Sequence, residues 1–186
     1  MTIRKKELFT IPNLMGYFRI LLIPIFMCIY LNAQSVTDTC RALFILILSG
    51  ITDFFDGIAA RKLHQVTQLG KALDPVADKL TLGAVIFCLI RKIPGIQYLF
   101  AVFAVKELYM LAGNLISMRF HGKKLDGAAF IGKAYTMITY WCLAFFLLFP
   151  HMPRLLQLIL MMLCGGMMIA AGLYYLPTFY HFIKGD

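Results

Sequence analysis

Asp53-Phe54-Phe55-Asp56-Gly57-Ile58-Ala59-Ala60-Arg61 is followed, after a short gap, by Gly70-Lys71-Ala72-Leu73-Asp74-Pro75-Val76-Ala77-Asp78. Four of the chain's 9 acidic residues stand in this stretch, inside a sequence that is 61% hydrophobic. An ionised carboxylate within a bilayer costs roughly 2.5–3.5 kcal/mol on the mildest insertion scale, so four without compensation would cost on the order of 10 kcal/mol. Something must neutralise them, and divalent metal is the natural candidate. Asp53 and Asp56 are three apart and Asp74 and Asp78 four apart, so each pair falls on one face of a helix. The stretch therefore reads as two helix ends joined by a turn, with both acidic faces turned toward each other.

Working outward, the 186 residues carry only 15% charged residues, and the apolar content lies in long runs. That composition marks an all-α integral membrane protein and excludes an ordinary soluble domain. Six runs approach the roughly 20 residues that a crossing helix needs. They are Leu14–Leu31, Thr39–Ala60, Ala72–Ile90, Ile96–Met118, Ala134–Phe149 and Leu155–Phe179, joined by short connections, and together they predict one domain over residues 1–186. A short basic segment, Thr2–Ile11, is expected to lie as an interfacial helix ahead of the first crossing.

Loop charge sets the orientation. With the N-terminus inside, the cytoplasmic side collects Arg4, Lys5, Lys6, Arg61, Lys62, Lys71, Arg119, Lys123, Lys124, Lys133 and Lys184. The opposite side collects only Arg41, Arg91, Lys92 and Arg154. Both termini are thus expected in the cytoplasm, and the aspartate hairpin opens there. Pro24 and Arg19 interrupt the first apolar run and no small-x-small site follows it, which argues against a cleaved signal peptide. The net charge of +9 fits a protein facing anionic headgroups rather than nucleic acid. Cys28, Cys40, Cys88, Cys142 and Cys164 show no metal-type spacing and read as packing residues.

Gly57 and Ala60 continue the first acidic face with almost no side chain, which leaves room for a ligand to touch backbone. Gly70 is placed to do the same across the hairpin, and Arg61 and Lys62 stand at the rim, in reach of phosphate oxygens. Clustered carboxylates, small residues and a basic rim suit a two-metal phosphoryl-transfer site, with magnesium or manganese bridging carboxylates and a diphosphate. A carboxylate left partly free can take a proton from an attacking hydroxyl.

The pattern D-x-x-D-G-x-x-A-R, eight residues, G-x-x-x-D-x-x-x-D resembles the signature of the CDP-alcohol phosphotransferases at every position. The resemblance implies six transmembrane helices per subunit, a homodimer, and a reaction in which a hydroxyl attacks the phosphorus of a CDP-linked lipid and CMP leaves. It also implies that Asp53, Asp56, Asp74 and Asp78 hold two divalent ions, Mg²⁺ or Mn²⁺, with Asp78 as base. Gly57, Ala60, Arg61 and Gly70 would then contact the nucleotide and its diphosphate.

Neighbouring residues point to a subfamily. Ala72-Leu73-Asp74-Pro75-Val76-Ala77-Asp78-Lys79, and the opening Ile11-Pro12-Asn13-Leu14 with Arg19 and Pro24, resemble bacterial phosphatidylglycerophosphate synthases and the related cardiolipin synthases. The resemblance implies CDP-diacylglycerol as donor and glycerol 3-phosphate as acceptor, or alternatively phosphatidylglycerol. It also implies a bacterial inner-membrane location. Basic residues for an anionic acceptor are Lys106, Lys133, Arg119 and Arg19. Two positions depart from the subfamily pattern: Lys106-Glu107 replaces Arg-Glu, and Gly132-Lys133-Ala134-Tyr135-Thr136 replaces Gly-Lys-x-Lys-Thr. Arginine grips phosphate bidentately and lysine does not. Lys106 and Glu107 are adjacent, point about 100° apart on a helix, and need not pair.

Other signals carry less. Gly127-x-x-x-x-Gly132-Lys133 imitates a P-loop, but Ala134 replaces the required Ser/Thr and no strand precedes it. His64, His121, His151 and His181 fall at loops or span ends, and the Tyr174–Tyr180 cluster reads as an aromatic belt. A small cation or proton transporter is the rival class, since intramembrane acids also mark ion paths. Against it, the acids crowd one membrane end beside Gly57, Ala60 and Arg61, which an ion path does not need.

Overall fold

The computed structural model describes residues 9–63, 65, 67, 69–121 and 130–174, with side chains at all of these except 71, 114–121 and 130–136. Its elements are α1 (Ile11–Leu31), α2 (Val36–Lys62), α3 (Gly70–Leu89), α4 (Ile96–His121), α5 (Phe130–Leu148) and α6 (Arg154–Tyr174). No strand occurs among the described residues. Each helix coincides with one of the six expected spans, and the differences are at the ends. Helix α2 runs on through Arg61, and α3 starts at Gly70, so both halves of the acidic motif are helical throughout. The expected segment Thr2–Ile11 lies outside the described residues up to residue 8, as does the last expected span beyond Tyr174.

Helices α1, α2 and α6, together with Ile96–Gly113 of α4, are long and apolar enough to cross a membrane. Helix α3 carries Lys71, Asp74, Asp78 and Lys79 within its 20 residues, which lowers its apolar content. In α5 the described apolar stretch is the shorter Met137–Leu148. Large side chains face outward along these helices, among them Phe44, Ile47, Phe54, Val105, Leu108 and Met162. A soluble monomer does not expose apolar surface on this scale, whereas a lipid-facing helix must.

The chain falls into two compact units, Met1–Cys88 and Leu89–Asp186. In the first, α1 packs on α2. Phe26 and Tyr30 of α1 are fully buried and stack with ring centroids 5.7 Å apart. The α2 N-terminus is fixed by a capping box: Ser35 Oγ accepts from the Asp38 backbone N–H at 3.1 Å, and Asp38 Oδ2 accepts from the Ser35 N–H at 3.2 Å. Arg41 donates to the same aspartate at 3.1 Å. This end of α2 is thereby anchored by local hydrogen bonds, while the opposite end carries the acidic motif.

In the second unit, α6 packs against α4 and α5. Gly95, at φ +94°, makes the turn into α4, a backbone shape that favours glycine. Gly165 and Gly172 are two helical turns apart on α6 and meet α4 directly. A Cβ at these positions would lie 3.6 Å from Leu99 Cδ1 and 3.7 Å from Lys106 Cγ. Leu99 and Lys106 are spaced like the two glycines, so α4 and α6 run parallel in register, with small residues admitting the neighbouring helix. Cys164 Sγ donates to Thr139 Oγ1 at 3.8 Å and ties α6 to α5. All five cysteines are free thiols.

Gly165→Phe should force α4 and α6 apart and lower the detergent-solubilised melting temperature, at a cost of about 1–3 kcal/mol. Gly165→Ala should be near neutral, because its Cβ reaches only an ordinary 3.6 Å contact. Thermal unfolding followed by intrinsic fluorescence checks the pair.

Candidate active site

Three of the four aspartates converge on a residue from a different helix. Arg19 of α1 is buried, at 3% exposure, and its guanidinium lies between α2 and α3. Its Nη1 is 2.5 Å from Asp53 Oδ1 and 3.8 Å from Asp56 Oδ2, and its Nη2 donates to Asp78 Oδ1. Asp74 lies close enough to Arg19, Asp53 and Asp78 to feel their charges, and Asp56 feels those of Asp74 and Asp53. All four expected acids are thus brought to one locality in the first unit. An arginine in an apolar span needs partners of this kind, since burying it unpaired is costly.

A second contact fixes where α3 begins. Asn13, 1% exposed at the start of α1, accepts at Oδ1 from Thr67 Oγ1 at 2.9 Å. Thr67 Oγ1 in turn accepts from the Gly70 N–H at 2.9 Å, and Gln65 Oε1 accepts from the Ile11 N–H at 3.3 Å. A Cβ on Gly70 would fall 2.8 Å from Asn13 Oδ1 and 3.1 Å from Thr67 Oγ1. The glycine therefore lets α1 and the start of α3 close together, one turn ahead of Asp74. Asn13 and Thr67, which hold this contact, lie outside the motif. The opening Ile11-Pro12-Asn13-Leu14 marks Asn13 in the sequence, and nothing there marks Thr67.

Gly57 differs. A Cβ there would meet nothing nearer than Arg61 Nη2 at 4.0 Å, so its surface is open. Arg61, exposed, folds back one turn and donates from Nε to the Gly57 carbonyl at 3.3 Å. This lays a cation over bare backbone at the rim, with half-buried Ala60 on the same turn. The arrangement suits an anionic group approaching Gly57.

The donor chemistry fits a divalent ion. Every side chain offered is a carboxylate, the ligand type that Mg²⁺ and Mn²⁺ prefer. Asp56 is 4% exposed, yet its Oδ2 accepts no hydrogen bond, an acceptor that a cation would satisfy. The Asp53 and Asp78 side chains are 45% and 43% exposed, which leaves each a surface for an incoming ligand. The expected common clasp is, however, not formed as such. Among the described residues no three His, Cys, Asp or Glu side chains surround one point suited to an ion. The carboxylates gather on the Arg19 guanidinium, the cation that α1 brings to them.

Of the basic residues expected to meet an acceptor, Arg19 is at this cluster. Lys106 lies in the second unit and pairs with Glu107, Nζ to Oε1 at 2.5 Å, a pairing that adjacency on a helix does not require. Both side chains are largely buried, at 12% and 15% exposure, and desolvation drives two long, flexible side chains to meet despite diverging Cβ directions. Lys106 also lines a cavity of about 440 Å³ with Val105, Tyr109, Met168 and Leu173. The Arg119 and Lys133 side chains, and all of Lys123 and Lys124, lie outside the described residues.

Comparison with known proteins places the sequence in a family. The sequence model of the CDP-alcohol phosphatidyltransferase family matches residues 9–172. A CDP-diacylglycerol–glycerol-3-phosphate 3-phosphatidyltransferase of Rickettsia felis is 43% identical over 82 residues, 44% of this chain and 45% of that protein. Its counterpart in Rickettsia bellii is 46% identical over 83 residues, with 44% and 45% covered. A cardiolipin synthase (CMP-forming) of Streptomyces coelicolor is 29% identical over 137 residues, 72% of this chain and 63% of that protein. The matched part of the chain spans about half the length of the Rickettsia relatives.

The two glycines should separate experimentally. Gly70→Ala drives a methyl group into buried Asn13 and should cost about 1–3 kcal/mol of stability. Gly57→Ala meets open space in a helix interior and should leave stability unchanged or raise it by up to about 1 kcal/mol. Thermal melting of both variants in one detergent gives the comparison.

Proposed function

The chain belongs to the CDP-alcohol phosphatidyltransferase family, and from that premise we propose that it transfers the phosphatidyl group of CDP-diacylglycerol to glycerol 3-phosphate. The products are phosphatidylglycerophosphate and CMP. The reading is supported above all by the convergence of Asp53, Asp56 and Asp78, from two helices, on a single buried cation of a third. It is further supported by the Rickettsia relatives, whose names give that reaction. We further propose six crossings in one catalytic membrane domain, both termini and the active site on the cytoplasmic face of a bacterial inner membrane, and a homodimer. The family match, which runs through both compact units, favours the single domain.

In this reading Asp53, Asp56, Asp74 and Asp78 hold two Mg²⁺ or Mn²⁺ ions. When bound, these ions supply charge neutralisation at the diphosphate of the donor. Gly57 and Ala60 admit the nucleotide to the α2 backbone, and Arg61 pairs with a phosphate oxygen from the rim. Gly70 keeps the start of α3 against α1, which sets the height of Asp74 and Asp78. Asp78, whose side chain keeps open surface, takes the proton of the acceptor hydroxyl. That hydroxyl oxygen bonds to the lipid-side phosphorus, and the bond from phosphorus to the CMP oxygen breaks. Lys106, Lys133 and Arg119 are assigned to the acceptor's negative charge.

The second reading, cardiolipin synthesis with phosphatidylglycerol as acceptor, is favoured by the Streptomyces match, which takes in more of this chain than the Rickettsia matches do. An acceptor panel in nanodiscs separates the two. CMP release from CDP-diacylglycerol should require glycerol 3-phosphate, stop with EDTA, return with Mg²⁺ or Mn²⁺, and fall about 100-fold or more in Asp78→Asn. Gly57→Ala should lose activity without any fall in its melting temperature. Release with phosphatidylglycerol alone would move the assignment to the second reading. Silence with every acceptor, including inositol phosphate and serine, would overturn both.

A further inference from the structure

Arg19 does not meet its carboxylates in the strongest geometry open to a guanidinium. The strongest arginine–carboxylate pairing is fork to fork, two parallel hydrogen bonds to one carboxylate. Arg19 instead touches Asp53 with one nitrogen and Asp78 with the other, on two different helices. Only the bond to Asp78 has hydrogen-bond geometry; Nε and Nη1 are buried without a hydrogen-bond partner. Asp56 Oδ2, 3.8 Å away, is likewise buried and unbonded. Several donors and an acceptor thus stand together incompletely matched, held by charge rather than by directed bonds. A divalent ion, with twice the charge, competes for the same oxygens.

The charge balance points the same way. Four carboxylates carry four negative charges, and the guanidinium offsets one of them. Two divalent ions offset all four, and with Arg19 still near they leave an excess positive charge to meet a diphosphate. The carboxylates that Arg19 touches most closely, Asp53 and Asp78, are also the ones with open surface, at 45% and 43% exposure. A hydrated ion can therefore reach them without first dislodging the buried arginine. We propose that Arg19 is an exchangeable counter-ion of this cluster. It holds Asp53 and Asp78 together when no divalent ion is bound and yields their oxygens when one arrives. The inference rests on the metal-site reading above. It makes Arg19 a positioning residue that acts through the aspartates.

The sign of the test follows from Coulomb's law. An opposite charge within about 4–6 Å is worth one to three pKa units to a carboxylate, so removing Arg19 should tighten divalent binding about tenfold or more. Mn²⁺ affinity, measured by electron paramagnetic resonance on the full chain in nanodiscs, should rise by that factor in Arg19→Met and stay within about threefold in Arg19→Lys, which keeps the charge. In EDTA, Arg19→Met should melt below the unsubstituted protein, and saturating Mn²⁺ should remove the difference. Should Arg19→Met not fold, the side-chain nitrogen resonances of Arg19, assigned with Arg19→Lys, must move as Mg²⁺ saturates the unsubstituted protein. Equal or weaker Mn²⁺ binding in Arg19→Met, or unmoved Arg19 resonances, overturns the exchange while leaving the metal site standing. No Mn²⁺ binding by the unsubstituted chain overturns the metal-site reading itself.

Discussion

The constraint on which the structure turns is the neutralisation of four carboxylates at one end of a lipid-facing bundle. Charge in a medium of low dielectric is expensive, and the cost falls only when opposite charges meet at close range. In this fold the meeting is arranged by three helices. Helix α2 supplies Asp53 and Asp56, α3 supplies Asp78, and α1 sends Arg19 between them. The same electrostatic pressure that gathers the side chains makes the place attractive to small, highly charged cations. Structural need and proposed chemistry therefore have one origin.

The rest of the first unit can be understood as support for that meeting. The Ser35–Asp38 capping box holds the far end of α2, so the axial position of Asp53 and Asp56 is fixed by 27 residues of continuous helix. The Asn13–Thr67–Gly70 contacts do the corresponding work for α3 at the near end. The two glycines of the motif divide between two tasks. Gly70 closes a protein–protein contact, and Gly57 leaves a surface open beneath Arg61. Identical residues in one motif thus serve packing in one place and access in the other.

Much of this was legible in the sequence, for identifiable reasons. Long apolar runs bounded by charge located all six helices, because length and hydropathy dominate helix placement in a membrane. The three- and four-residue aspartate spacings identified the acidic faces, since helical periodicity is a local property. Contacts between distant residues were not legible. Nothing in the sequence said that Arg19 would meet Asp53 and Asp78, or that Asn13 would stand where a Gly70 side chain would go. Cβ direction left the Lys106–Glu107 pairing open, and the burial of both side chains is what brings them together. Gly165 and Gly172 are spaced by two turns rather than one, and only packing against α4 reveals them as an interface.

The central claim is that the aspartates of α2 and α3 jointly bind divalent cations at the site of phosphatidyl transfer. Anomalous diffraction at the manganese edge, from crystals grown with Mn²⁺ and a CDP-linked lipid, tests it most directly. Anomalous peaks are expected within bonding distance of Asp53, Asp56, Asp74 and Asp78, beside the diphosphate. Peaks elsewhere, or a diphosphate seated away from these carboxylates, would contradict it.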